Sequence, residues 1–190
     1  MTHGKAVDSA YVVVYCEQTG EVVEIKKLEK ISYTVQINVY LKELVAKWNN
    51  AIVRYGKTGL GEALEDMFKL AGIGFIAYPE QGHNKERLVE NLTALVKSDR
   101  FKIHNINDLA EELIRQFEDY GFDISEKGKT IRYSNMTAGQ HDDGVSASYF
   151  AVADVNVSEI SEAANFYSDD NLILLNNKYN TVSNVSSNFF

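Results

Sequence analysis

The chain has 190 residues, a length that suits one domain with one substantial core. A formal net charge of −8 argues against a protein that coats nucleic acid by bulk charge, because phosphate contacts need clustered Lys and Arg. The single cysteine, Cys16, excludes a disulfide or a cysteine-based zinc site within one chain. No stretch has the length of an apolar membrane span and the N-terminus has no apolar signal core, so we expect an intracellular protein with no membrane partner.

The first elements are predicted to be strands. Residues 11–15 form a continuous apolar run, which is typical of a buried strand. Turn residues follow at Gln18-Thr19-Gly20, and residues 21–25 are predicted to form a second strand, so the pair predicts a hairpin. Residues 28–33 predict a third strand.

The middle of the chain predicts helices that alternate with strands. Apolar residues between Ile37 and Trp48 repeat at helical spacing, and Asn49-Asn50 is expected to end this helix. The next predicted elements are a strand at 51–55, a glycine-containing loop at 56–61, a helix at 62–71 and a strand at 73–78.

The last third continues the alternation. A helix is predicted at 84–98 and a short strand at 101–103. Asn105 or Asn107 is suited to cap the next helix, whose apolar stripe is Leu109, Leu113 and Phe117. An edge strand is predicted at 130–133, followed by a loop and a last helix after Asp143.

This order predicts an α/β domain. Its mixed sheet would contain antiparallel hairpins from the N-terminal part and parallel strands from the later part, flanked by helices. We assign this domain to residues 1–154. Residues 155–190 are rich in Asn and Ser and predict a polar, partly flexible extension, in which residues 172–175 are apolar enough to add a strand or dock.

One series of motifs in the second half resembles a known family. Lys85 lies in the opening turn of a helix, and a short strand, a helix containing Glu112-Leu113 and a turn with a further strand follow. The series ends in a loop that leads to Gln140-His141-Asp142-Asp143 at the start of the last helix. This order resembles the RNase H-like nuclease domain of phage large terminase subunits, over roughly residues 8–154.

The resemblance implies a divalent-metal-dependent endonuclease that cuts concatemeric viral DNA during genome packaging. Asp142 and Asp143 would be catalytic metal ligands, with His141 assisting and Asp8 as a further ligand. Carboxylate oxygens suit Mg²⁺ or Mn²⁺, and a pair of such ions can activate a water and stabilise a leaving oxygen. The implied partners are double-stranded DNA, a terminase ATPase domain, a small terminase subunit and a portal, in the cytoplasm of a bacterial host that carries a phage or prophage.

The sequence departs from the family at two acidic positions. The acid of the family's first strand falls near Thr2 or before the first residue, and Asp8 lies nearby. The next acid is expected at position 56, where the sequence has glycine. Candidate substitutes are Glu24, Glu62 and Glu65, although the two helical glutamates are typical of a solvated face. No Gly-x-x-x-x-Gly-Lys-Ser/Thr phosphate loop occurs.

Other interpretations stay open. Aspartates at a helix start also serve as caps and complement the helix dipole, without any metal. The chain is then a catalytically degenerate nuclease-like module for binding or assembly, and a resolvase- or transposase-type nuclease is a third alternative. Cations that could contact DNA phosphates, or be ordinary surface charges, are Lys57, Lys85, Arg87, Lys97 and Arg100.

Overall fold

The described part of the chain comprises residues 10–28, 31–57, 61–80, 82–124, 131–137 and 141–156 of a computed structural model. Its strands are β1 (Ala10–Cys16), β2 (Glu21–Leu28), β3 (Val53–Lys57), β4 (Phe75–Pro79), β5 (Lys102–Ile103), β6 (Tyr120–Ile124) and β7 (Ile131–Asn135). Its helices are α1 (Tyr33–Val35), α2 (Lys42–Lys47), α3 (Gly61–Ala71), α4 (His83–Lys97), α5 (Asp108–Asp119) and α6 (Asp143–Ala151), with a π-helical segment, Gln36–Leu41, joining α1 to α2. Within these residues, no helix is long and apolar enough to cross a membrane.

The predicted N-terminal hairpin is confirmed. Strands β1 and β2 pair antiparallel, from Ala10 opposite Leu28 to Cys16 opposite Glu21. The turn needs Gly20, which has a φ of 73° and lies against the backbone of Arg100. Strand β5 adds to the outer edge of β2 in parallel. The predicted third strand at residues 28–33 is wrong, because β2 ends at Leu28 and Tyr33 already begins a helix.

The predicted helix at 37–48 is present, but it begins at Tyr33, before the first apolar residue of the pattern that predicts it. It runs from α1 through the π-helical segment into α2, which ends before Trp48. Gln36 is buried in this segment, where its side chain donates a hydrogen bond of 2.7 Å to the carbonyl of Ile31. Asn49 and Asn50 both have positive φ, so they end the helix as expected.

Strands β3 and β4 form a separate parallel pair connected by α3. Their register places Val53 opposite Phe75 and Gly56 opposite Tyr78. A small core lies under this pair, and it is formed by Ile37, Phe68, Ala71 and Ile73. The carboxyl ends of both strands therefore lie side by side, which is where parallel sheets usually carry their sites.

Helix α5 begins after Asn107, one of the two predicted caps. Asn107 makes no side-chain cap hydrogen bond and instead donates to the carbonyl of Ile25 at 3.1 Å, so it ties α5 to β2. Strand β6 follows α5 directly and was not predicted. It pairs antiparallel with the predicted strand β7, with Tyr120 opposite Asn135.

Helix α6 lies at the centre of the larger core. Val145, Ser148, Tyr149 and Val152 are at most 1 % exposed. Ser148 avoids an unsatisfied hydroxyl because it donates to the carbonyl of Gly144 at 2.8 Å. The helix packs against β1, β3, α4 and α5, so its N-terminal end is placed by most of the domain.

A cavity of about 740 Å³ separates β1 from β3. We call it the β1–β3 cavity; residues 10–15 line one side and residues 51–56 the other. In the described residues the strands form three sheets, β1-β2-β5, β3-β4 and β6-β7, instead of one continuous sheet. The predicted mixed α/β architecture, with antiparallel strands first and parallel strands later, is confirmed. The prediction that residues 11–15 form a buried strand holds less well, because the residues from Val12 to Tyr15 line this cavity and are only partly buried.

Candidate active site at the start of the last helix

Asp142 and Asp143 lie at the N-terminus of α6, as the sequence predicts. Asp142 occupies the N-cap position, but its side chain makes no cap hydrogen bond. Asp143 is the first residue of the helix, and its side chain is 46 % exposed. Both residues line the β1–β3 cavity. The carboxylate of Asp142 therefore lines the cavity without serving as a helix cap.

The start of α6 is fixed by close packing around Gly144. Its N–H donates a hydrogen bond of 2.8 Å to Oε1 of Gln116, whose side chain is buried in α5. A Cβ at position 144 would lie 2.7 Å from both Gln116 Oε1 and Leu113 Cδ1, and 3.2 Å from the ring of Tyr11. The absence of a Cβ lets the start of α6 approach α5 and Tyr11 this closely.

His141 is the most exposed member of the predicted group. Its side chain is 85 % exposed, and Nδ1 lies 4.0 Å from Oδ2 of Asp143. The backbone carbonyl of His141 accepts a hydrogen bond of 2.7 Å from Nδ2 of Asn135, at the end of β7. The hairpin β6–β7 thus holds the residue that precedes the aspartates, while the imidazole remains accessible.

Glu80 lies directly beyond β4, next to the glycine that replaces the expected acid. A Cβ at Gly56 would lie 2.9 Å from Glu80 Oε2 and 2.6 Å from Cζ of Phe150. The carboxylate of Glu80 therefore occupies space into which a side chain at position 56 would project. Glu80 lines the β1–β3 cavity together with Asp142 and Asp143.

Two buried tyrosines connect these acids. Tyr149, in α6, donates its hydroxyl hydrogen to Glu80, and its hydroxyl oxygen lies at hydrogen-bond distance, 2.9 Å, from Oγ of Ser146. Burial raises the pKa of Tyr149, and the hydrogen bond to Glu80 raises it further. Burial also raises the pKa of Tyr120, as do the negative charges of Asp142 and Glu80. The Tyr120 hydroxyl is buried and has no hydrogen-bond partner in the described part of the chain.

Among the candidate cations, Lys85 alone lines the cavity with the acids. It is partly buried in the first turns of α4, and it forms no ion pair with the residues that the structure describes. Lys57 instead forms an ion pair of 2.8 Å with Glu65. Of the candidate cations, Lys85 is therefore the one placed to meet an anionic ligand in the cavity, where Arg54 is paired with Glu17.

The glutamates considered as substitutes have other roles. Both Trp48 Nε1, at 2.6 Å, and Lys47 Nζ, at 2.8 Å, donate to Glu24. Burial raises the pKa of Glu24, but these hydrogen bonds outweigh it and the pKa is lowered. Glu65 is paired with Lys57, and the side chain of Glu62 lies outside the described atoms. Neither Glu24 nor Glu65 lines the cavity.

The fold is similar to solved structures of one viral enzyme. The large terminase nuclease from thermophilic phage G20c with bound magnesium matches with a TM-score of 0.70 and 21 % identity, over 80 % of this chain and 77 % of that one. The same nuclease without a named metal matches with a TM-score of 0.67, 21 % identity and coverage of 81 % and 79 %. Its cobalt-bound form matches with a TM-score of 0.64 and 19 % identity, over 77 % of this chain and 82 % of that one. The chain has the fold of a large terminase nuclease.

The terminase-nuclease fold is recognised here through structure alone. No protein-family model matches the sequence, and no curated protein matches it. About one residue in five is identical between this chain and the phage G20c nuclease, so the resemblance rests on short motifs rather than on overall sequence similarity. The predicted RNase H-like α/β class is confirmed by this likeness.

The donors at the start of α6 fit a hard divalent ion. Mg²⁺ takes oxygen ligands, and it is often held by one or two carboxylates with waters and substrate phosphates completing its shell. Asp142 and Asp143 supply such carboxylates in the terminase-nuclease fold. Within the described ranges, no three His, Cys, Asp or Glu side chains come together as a metal site. Asp8, the further ligand expected from the resemblance, lies outside the described residues.

Sequence reasoning missed Glu80, Gln116 and Tyr120. A signal for Glu80 exists, because it directly follows an apolar strand, and acids at the carboxyl ends of neighbouring parallel strands meet at one edge. Gln116 has no such signal: it is a polar residue in an amphipathic helix, where solvent exposure is the usual expectation. Tyr120 belongs to β6, which was itself not predicted.

Proposed function

We propose that the chain is the nuclease part of a phage large terminase, a divalent-metal-dependent endonuclease that cuts concatemeric double-stranded viral DNA during genome packaging. The observation that carries the proposal is the pair Asp142 and Asp143. The two aspartates lie at the start of the last helix of a terminase-nuclease fold, and both line a cavity. The side chain of Asp142 makes no cap hydrogen bond there.

The roles we propose follow from the positions of the side chains. Asp142 and Asp143 hold a Mg²⁺ or Mn²⁺ ion, which supplies activation of a water and neutralisation of charge on the phosphodiester. His141, exposed beside Asp143, assists by exchanging a proton with the solvent. Asp8 is proposed as a further ligand because the resemblance implies an acid before the first strand, and Asp8 precedes β1 by two residues in the sequence.

The proposal includes the setting of a terminase. The DNA substrate would be presented by a terminase ATPase domain that acts with a small terminase subunit and a portal, in the cytoplasm of the bacterial host. The net charge of −8 is compatible with this setting, since local cations such as Lys85 can contact phosphates while other subunits hold the DNA. We further propose that residues 1–154 form the nuclease domain and residues 155–190 a polar extension.

The experiment is cleavage of a supercoiled plasmid by the full chain with Mn²⁺ or Mg²⁺, alongside Asp142→Asn, Asp143→Asn and an EDTA control. We expect nicked and linear products. Each substitution should lower the rate by more than about 100-fold, because loss of residues that merely support metal ligands costs about 10- to 100-fold. No cleavage by the wild-type chain with either ion would contradict the proposal.

The second candidate function is a catalytically degenerate module for binding or assembly. Two observations favour it: position 56 is glycine, and no group of three metal-ligating side chains occurs in the described residues. The two functions differ in one measurement. A degenerate module would bind DNA or a terminase partner with the same affinity in the wild type and in Asp143→Asn, and it would cut DNA in neither form.

A further inference from the structure

Two strands without a second neighbour face each other across the β1–β3 cavity. In the described residues, β1 pairs only with β2, and β3 pairs only with β4, so each of them has one edge without a partner strand. Unpaired N–H and C=O groups along such an edge are a template for a further strand. The cavity volume of about 740 Å³ equals that of roughly 25 water molecules, so it is far larger than an ordinary packing void.

Strand β1 has the sequence of an interior strand. Edge strands are usually protected by charged side chains or proline, and the sequence of β1, AYVVVYC, contains neither. The side chains from Val12 to Tyr15 nevertheless line the cavity and are only partly buried. Tyr33 and Ile52 line the same cavity and are 40 % and 53 % exposed. A further strand between β1 and β3 would cover this apolar surface.

The C-terminal extension contains a segment suited to this position. The longest run of consecutive Leu, Ile and Val residues in the sequence is 172–175, and it lies outside the described residues. A continuous apolar run is typical of a strand that is buried on both faces. We propose that residues 172–175 insert between β1 and β3 as a strand and join the two sheets. The proposed function gives this segment no role, and the inference does not depend on DNA cleavage.

The C-terminal extension leaves the described domain beside the cavity. Arg54, near the start of β3, donates a hydrogen bond of 3.2 Å to the carbonyl of Ala151, at the end of α6. Arg54 also pairs at 3.1 Å with Glu17, which follows the end of β1. The start of β1 lies at the other end of α6, where Tyr11 packs beside Gly144. A strand that enters the cavity from the end of α6 therefore runs antiparallel to β1, as a neighbour of β1 in a meander does.

The reach of the chain and the charges that flank the apolar run agree with this direction. The fifteen residues 157–171 connect the described domain to the run and span up to about 50 Å, whereas the seven residues of β1 span only about 23 Å. Asp170 precedes the run and enters at the end that holds Arg54. Lys178 follows the run toward the end that holds Asp143. Opposite charges therefore meet at both ends of the inserted strand.

Backbone hydrogen exchange of the full chain tests the insertion directly. We expect the amides of residues 172–175 to exchange at least about 10-fold more slowly than those of residues 180–188, because amides that are hydrogen-bonded in a sheet exchange only when it opens. Equal exchange rates in the two segments would overturn the inference. Protection that rises with the concentration of the chain would assign the strand to a second copy, and protection of residues 2–7 instead would assign it to the N-terminal segment. Either result overturns insertion of residues 172–175 within one chain.

A charged substitution in the run supplies a second readout. Ile173→Asp is compared with Val185→Asp, in the same extension but outside the run, and neither substitution touches the core that the structure describes. Trp48, the single tryptophan, lines the cavity and reports its hydration through fluorescence.

We expect Ile173→Asp to abolish the protection of residues 172–175, to shift the Trp48 emission to longer wavelength and to lower the melting temperature by about 4 °C or more. Val185→Asp should equal the wild type in all three. An Ile173→Asp variant with the exchange, emission and melting temperature of the wild type would show that the run does not occupy the cavity.

Discussion

Gln116 Oε1 accepts the hydrogen bond of the Gly144 N–H at 2.8 Å, and both residues are buried. The first N–H groups of a helix have no partner within the helix, so a buried helix start needs an acceptor from elsewhere. At α6, a side chain from α5 provides it. The side chain of Asp142 is consequently released from the cap role that aspartate often has.

Gln116→Leu should destabilise the domain and disturb the site. The substitution keeps the size of the side chain but leaves the Gly144 N–H buried without an acceptor, which costs about 1–3 kcal/mol. Urea unfolding should show this loss in the free energy of unfolding, and plasmid cleavage should fall with it. Gln18→Leu, in an exposed turn, is the control. Equal stability of Gln116→Leu and the wild type would show that the hydrogen bond does not hold the helix start.

Gly144→Ala tests the close approach of α6 to α5. The new methyl group would meet Gln116 Oε1 and Leu113 Cδ1 at 2.7 Å, so these side chains or the helix start must shift, and the hydrogen bond from Gly144 to Gln116 is disturbed. We expect a loss of about 1–3 kcal/mol in the free energy of unfolding, as for other overpacked sites. Gly74→Ala is the matched control, since nothing lies within 4 Å of its Cβ position, and it should stay within about 0.5 kcal/mol of the wild type.

Asp142 can be tested for capping by comparing two substitutions. Asparagine caps helices as well as aspartate does, whereas alanine costs about 1 kcal/mol relative to either. Because Asp142 makes no side-chain cap hydrogen bond, Asp142→Asn and Asp142→Ala should have free energies of unfolding within about 0.5 kcal/mol of each other. Both should lose plasmid cleavage. A more stable Asn variant that retained cleavage would favour the capping interpretation.

Lys85→Gln should weaken DNA binding without affecting the fold. Lys85 lines the cavity beside the aspartates, so we expect it to contact one phosphate. The slope of log affinity against log salt concentration should then fall in magnitude by about 1. Fluorescence anisotropy with a labelled DNA duplex measures this, with Asp143→Asn as the background to prevent cleavage. Arg87→Gln, exposed on the same helix, is the comparison, and a larger effect there would move the phosphate contact away from the cavity.

Local patterns predict most elements of this fold. The apolar run at residues 11–15 and the stripe of Leu109, Leu113 and Phe117 are strong, and the corresponding β1 and α5 are present. Strand β6 escapes prediction because it follows α5 without a turn, so the helical pattern covers its start. The third strand was wrongly predicted at residues 28–33, where three apolar residues separated by polar ones do not distinguish a strand from the start of a helix.

The site is predictable only where its residues are adjacent in sequence. His141, Asp142 and Asp143 form one motif, and the structure brings them to one helix start. Glu80 is separated from Asp142 by about sixty positions, and it lines the same cavity because β3 and β4 pair in parallel with a specific register. Register depends on tertiary packing, which a single sequence does not reveal.

At alkaline pH, the domain should unfold at a lower pH than a chain whose tyrosines all had ordinary pKa values. Burial raises the pKa of Tyr78 and Tyr15 to about 12 from the model-compound value of 10, and it also raises the pKa of Tyr149. Between about pH 10 and pH 12, the folded chain therefore retains protons that the unfolded chain releases. The stabilisation is complete below pH 10 and is lost as the pH rises through this window.

Tyr149→Phe removes one of these groups and should make the decline less steep. We expect the free energy of unfolding of the variant to fall by a smaller amount than that of the wild type between about pH 9 and pH 12, although it starts lower because the hydrogen bond to Glu80 is lost. Urea unfolding at successive pH values, with tyrosinate absorbance recorded in parallel, measures both effects. Tyr33→Phe, in an exposed ring, is the control. The free energy of unfolding could instead change with pH at the same slope in Tyr149→Phe and in the wild type. That result would contradict the raised pKa of Tyr149, because a tyrosine that is buried and hydrogen-bonded to a carboxylate must resist ionisation in the folded chain.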